Sequence, residues 1–126
     1  MFTMINHKFK KHFLVVHNFV SEEARVKYLT PPEKLDPPQT RLTEKQWAEN
    51  STGEFAQCVQ TWVGNNEFLY CHWIANSDED VYRQLEEFDL EGKVVNSMVN
   101  EMHQFMSAYR ASDTLLRQYP NKGSKW

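Results

Sequence analysis

The chain has 126 residues, 40% of them apolar and 13% aromatic, with a formal charge of −3 at neutral pH. That length suits one domain with a sizeable core, expected to span residues 1–126, with the core over about 12–106, a basic arm at 1–11 and a tail at 107–126. The acidic balance speaks against a nucleic-acid partner, which calls for a basic face, and no run approaches the ~20 apolar residues of a membrane helix.

The one basic cluster, Lys8, Lys10 and Lys11 beside His7 and His12, reads as a solvated arm. The apolar run FLVV that follows is too short for the core of a signal peptide. Residues 12–20, HFLVVHNFV, carry the β-branched and aromatic content of a strand. Phe13, Val15, His17 and Phe19 share one face of it, and Leu14, Val16, Asn18 and Val20 the other. Ser21 followed by Glu22 and Glu23 marks a helix start, and the helix SEEARVKYLT stops at Pro31-Pro32. Residues 31–40, PPEKLDPPQT, hold four of the five prolines, so this is a stiff extended loop, a lid or a spacer. Thr43 to Gln46 matches a capping box and opens a short helix around Trp47 that ends near Gly53.

Residues 55–63, FAQCVQTWV, and 67–75, EFLYCHWIA, form a hairpin around Gly64-Asn65-Asn66. Ser77 to Asp80 gives a second helix-start signal of this kind, with Val81, Leu85 and Phe88 on one face of the helix and Gly92 as its stop. Residues 94–106, VVNSMVNEMHQFM, fit a helical period better than an alternating one. Topology argues for a strand all the same. A strand here completes βαββαβ and covers an otherwise bare edge of the first strand. The competing arrangement is a three-stranded sheet with a trailing helix. In the tail, DTLLRQ before Pro120 predicts a short helix, and residues 121–126 read as frayed.

Cys58 and Cys71 lie in apolar strand-like runs rather than in a CxxC pair. They are expected to be small buried hydrophobes of a reducing, cytoplasmic protein. They can face each other across the hairpin, where a disulfide is not expected in such a compartment.

This element order, with the run FLYCHWIANSDEDVYRQLEEF reading as strand, turn and capped helix, resembles the dimeric α/β-barrel superfamily of ferredoxin-like folds. The resemblance covers residues 12–106 and leaves out the proline-rich insertion and the tail; it brings no catalytic signature. It implies an α+β ferredoxin-like fold whose antiparallel sheet has the order 4-1-3-2. Two helices would cover one face. The other would pack on a second subunit, giving a homodimeric barrel with a pocket in each half.

Three histidines stand in strand-like runs: His17, His72 and His103, the last two residues after Glu101. The implied order puts His17 on a central strand with His72 and His103 on its neighbours. Parity then offers one face made of Phe13-Val15-His17, Phe68-Tyr70-His72 and Val99-Glu101-His103. The more apolar Leu14-Val16 and Leu69-Cys71-Trp73 would lie under the helices. Three readings follow. The histidines are hydrogen-bonded interface residues of a structural or interaction protein. Or they line a pocket for a small, largely apolar, fatty-acid-like or polyketide-like molecule, which in some relatives undergoes cofactor-free oxygenation or isomerisation. Or they hold a divalent metal, for which no HxH or HxxxH spacing exists. Should the pocket be catalytic, His17 or His72 is the general base. Glu101 or His103 orients it or the substrate, Tyr70 donates a proton, and Phe13 and Phe68 supply apolar wall. No Gly-rich phosphate loop appears, so no cofactor is expected.

Overall fold

A computed structural model of the protein describes residues 4–64, 67–121 and 126. Four strands, β1 (Lys11–Phe19), β2 (Ala56–Val63), β3 (Phe68–Ala75) and β4 (Val95–Met102), make one antiparallel sheet in the order β2-β3-β1-β4. This is the 4-1-3-2 order expected, and the ambiguous segment is a strand over its first part. Its helical period loses to the hydrogen bonds that β1 offers along its free edge, register Val15↔Val99. The result is a small α+β domain with a four-stranded sheet compatible with a ferredoxin-like fold. Of the hairpin turn, Gly64 is described; Asn65 and Asn66 lie outside the described residues.

Three helices connect the strands: α1 (Glu22–Leu29), α2 (Glu44–Asn50) and α3 (Asp78–Glu87). Each begins where a hydroxyl side chain accepts a backbone N–H: Ser21 from Ala24, Thr43 from Gln46, Ser77 from Asp80. At α2 the Gln46 side chain returns the bond to the Thr43 N–H, completing the capping box. Prolines 31 and 32 follow α1, and a single 3-10 turn runs Pro32–Lys34. No helix among the described residues is long and apolar enough to cross a membrane.

The core lies on one face of the sheet. Phe13, Val15, Cys71, Trp73, Ala56 and Cys58 meet Val81 and Leu85 of α3 there, flanked by Trp47, Phe88, Leu90 and Val99. The layer over this face is uneven. Helix α3 buries Val81, Gln84 and Leu85, whereas α1 buries no residue. What α1 does supply is Tyr28, whose ring stands 5.4 Å from that of Phe19.

Two expectations change. The helix α3 ends at Glu87, before Gly92, because Asp89 already takes a left-handed φ of 59° and turns the chain. The segment DTLLRQ is not helical. Six residues with no surface to pack on are too few to hold a helix, and the Ser112 hydroxyl instead accepts the Thr114 and Leu115 N–H groups in a turn. Of the frayed end, residues 122–125 lie outside the described residues, and Trp126 stacks on His103. The basic cluster of the N-terminal arm is exposed as expected, His7, Lys8, Lys10, Lys11 and His12 alike, while the arm itself is docked. Its Phe9 is buried, its Asn6 N–H donates to the Gln57 side chain, and Gln57 donates back to the Met4 carbonyl.

Candidate functional site

The register decides which side chains share a face. Val15 stands opposite Cys71 and Phe13 opposite Trp73, while Leu14 stands opposite His72 and Val16 opposite Tyr70. The expected single face of histidines is therefore divided. His17 belongs with Leu69, Cys71 and Trp73 under the helices and is only 4% exposed. His72, Tyr70 and Phe68 are on the opposite, open face. The expectation matched histidine with histidine. The folded chain matches apolar with apolar, Phe13 and Val15 against Cys71 and Trp73, and a one-residue difference in register exchanges the two faces.

The remaining candidates lie in two further places. Phe13 is fully buried in the core. Glu101 stands opposite Phe13 on β4, four residues along β1 from His17, or roughly 13 Å. It pairs with Lys11 at 3.7 Å and with His103 at 3.5 Å at the exposed end of the sheet. His103 lies just beyond β4, stacked on Trp126 with ring centroids 5.1 Å apart. These two residues form a surface cluster remote from His17.

Around His17 the structure builds a cavity of about 340 Å³ between the sheet and the helical layer. Tyr28, Trp47, Trp73, Phe88 and Leu69 give it apolar walls. It is partly open to solvent and lies where α1 leaves the sheet uncovered. The His17 Nδ1 is 2.6 Å from the Ser97 Oγ, its neighbour across β4. The Ser97 N–H donates in turn to Glu91, and Tyr82 donates its hydroxyl proton to the Ser97 carbonyl. The imidazole is thus held at one nitrogen, which leaves Nε2 for whatever stands in front of it.

Cys71 lies one step along the same face, opposite Val15. Cys58 reaches it from β2. A β-bulge between Cys58 and Gln60 adds Val59 to the strand, so that Cys58 and Thr61 both point to the covered side. The Thr61 hydroxyl is 3.5 Å from the Cys58 sulfur and 3.4 Å from the Cys71 sulfur. The neighbouring Cys58 thiol is the chief cause that holds Cys71 below the usual thiol range; burial opposes this, and His17 and Thr61 add to it. The Cys71 sulfur beside it, and then burial, push Cys58 above that range. Burial, and then the charge on the two sulfurs, raises the Tyr28 phenol. The Trp73 indole N–H is buried and has no hydrogen-bond partner among the described residues.

No family model, curated protein or solved structure matches this chain.

On the open face His72 makes a different pair. Its Nε2 lies 2.9 Å from the His12 Nδ1, with ring centroids 5.1 Å apart. Burial, and then His12, lower the pKa of His72 below the usual histidine value. Among the described residues no three His, Cys, Asp or Glu side chains are placed to hold a metal ion. Sequence reasoning singled out His17 and noted both cysteines. It missed Thr61, because the bulge that turns it inward has no sequence mark beyond a run of β-formers. It missed Ser97 and Tyr28 as site residues because their place depends on register.

Proposed function

We propose that this protein binds a small, largely apolar molecule in the cavity between its sheet and its helices, with His17 as the polar contact. The observation that carries this is an aromatic-walled, partly open cavity of about 340 Å³ containing one imidazole whose Nδ1 is already held by Ser97. That volume falls at the low end of the roughly 300–1,000 Å³ usual for ligand sites, and mostly apolar walls with few polar groups are their usual lining. A fatty-acid-like or polyketide-like body fits this description, and proton abstraction by His17 from such a ligand is the chemistry the geometry allows. Two copies would pair through the open sheet face, as in the dimeric α/β-barrel superfamily. Trp62, Phe68, Tyr70, Met98 and Met102 stand exposed on that face and support the pairing.

N-phenyl-1-naphthylamine, an apolar dye that brightens on leaving water, tests the cavity. The expected result is saturable enhancement by the native protein, displaced by decanoate. Val94→Phe, which fills part of the cavity from its wall, is expected to weaken dye binding at least tenfold with an unchanged thermal midpoint. Equal binding by both proteins would remove the cavity from consideration.

A further inference from the structure

The ligand-binding reading uses His17 and the aromatic wall and gives the two cysteines no task. Their arrangement is specific. Two sulfurs from neighbouring strands share one hydroxyl, Thr61, at 3.5 and 3.4 Å. The bulge at Val59 is what brings Cys58 and Thr61 to the same side. Both cysteines line the partly open cavity, as do His17 and Trp73. Elsewhere in the sheet core the polar atoms of β1 and β3 are few, so a base and two thiols gathered at one cavity wall call for a chemical account.

We propose that Cys71 and Cys58 form a redox-active dithiol that reduces hydroperoxides entering the cavity. His17, held at Nδ1 by Ser97, takes the Cys71 proton at its other nitrogen. The Cys71 thiolate attacks the terminal peroxide oxygen, the O–O bond breaks, and sulfur gives up two electrons. The departing alkoxide takes the proton back from His17 and leaves as an alcohol. Cys71 is then a sulfenic acid. The Cys58 thiol attacks this sulfur, a disulfide forms, and the hydroxyl leaves as water with the Cys58 proton. A small thiol from solution returns two electrons by exchange and restores the pair. The unpartnered indole N–H of Trp73 is the donor available to a peroxide oxygen on this wall. Cys71 lies on β3, one step along the shared face from His17, whereas Cys58 is a strand further away on β2, and this placement assigns the order: Cys71 attacks and Cys58 resolves. This activity does not rest on the apolar-ligand reading of the cavity.

One equivalent of hydrogen peroxide or cumene hydroperoxide, added to the reduced full chain, tests it. The expected result is loss of both thiols, a mass lower by two hydrogens, a Cys58–Cys71 link in the peptide map, and full recovery with dithiothreitol. Cys58→Ser should stop at a sulfenic acid on Cys71 that dimedone traps, and Cys71→Ser should consume no peroxide. Because either variant can lose its fold, iodoacetamide labelling of the native chain at pH 6 gives a second reading, with Cys71 expected to be modified at least tenfold faster than Cys58. The proposal is overturned if peroxide oxidises neither thiol faster than free cysteine, or if Cys58 is labelled first.

Discussion

His17 and His72 are the same residue type on adjacent strands of one sheet, and their surroundings give them opposite characters. His17 faces inward, held by Ser97 at 2.6 Å beside two thiols. His72 faces outward against a second imidazole, His12, at 2.9 Å. Two neighbouring imidazoles cannot both carry a proton cheaply, and burial disfavours the charged ring further. His72 therefore resists protonation in the folded chain, burial being the larger cause and His12 the second. An unfolded histidine takes its proton near pH 6.5. Below that pH the unfolded state binds more protons than the folded one, so stability is complete above it and declines on acidification. Urea midpoints at pH 7.5 and 5.5 should show this decline, and His72→Gln should show a smaller one. An equal decline in both proteins would place the titration elsewhere. At this scale the sequence singled out three histidines. Which of them meet is a property of register, and a pattern of single residues does not encode it.

Among the elements, caps and prolines were legible because their physics is local. Ser21, Thr43 and Ser77 each satisfy a backbone donor within three residues, so the sequence window contains the whole interaction. The end of α3 was less legible, since Asp89 rather than a glycine makes the first left-handed turn. Strand β4 was legible only through topology, as the partner for the free edge of β1. The bulge at Val59 was hidden, and with it the inward turn of Thr61. A non-local contact also explains Gly53, which reads as a plain helix stop. An added Cβ would lie 2.0 Å from the Gln84 side chain. Gln84 is buried and accepts the Phe55 and Ala56 N–H groups, so it cannot simply swing away. Gly53→Ala should therefore cost about 1–3 kcal/mol, the price of displacing a buried acceptor. Chemical denaturation measures it. The pair Gly53→Ala with Gln84→Ala should cost less than the sum of the two, because the second change removes the obstacle to the first. Additive losses would mean that the two sites act separately.

At the scale of the whole molecule the two sheet faces have different fates. One carries α3, Trp47 of α2 and the cavity. The other exposes Trp62, Phe68 and Tyr70 next to Met98, which is 59% exposed. The tail adds Phe105, Met106, Leu115 and Leu116, all exposed. It is looped back on itself where the Gln118 N–H donates to the Gln104 side chain at 2.8 Å and the Gln104 amide donates to the Gln118 carbonyl. Scattered apolar side chains are normal on any surface, but contiguous ones on a sheet face are the mark of an interaction site. A stable pairing needs roughly 1,200 Å² or more of total buried surface, and a four-stranded sheet face is a broad flat surface of the kind that can supply it. A second copy is the occupant we expect, because a two-fold pairing matches each apolar strand with its own equivalent and needs no other chain. Sedimentation velocity should then give a dimer for the native chain. Tyr70→Lys combined with Met98→Lys puts four charges into the centre of that interface and should give a monomer. The cavity lies on the other face, so the same variant should still bind N-phenyl-1-naphthylamine within about twofold of the native protein. A native monomer would refute the pairing. A monomeric variant that has lost the dye would show that the cavity depends on the second copy, and the two faces would then act as one site.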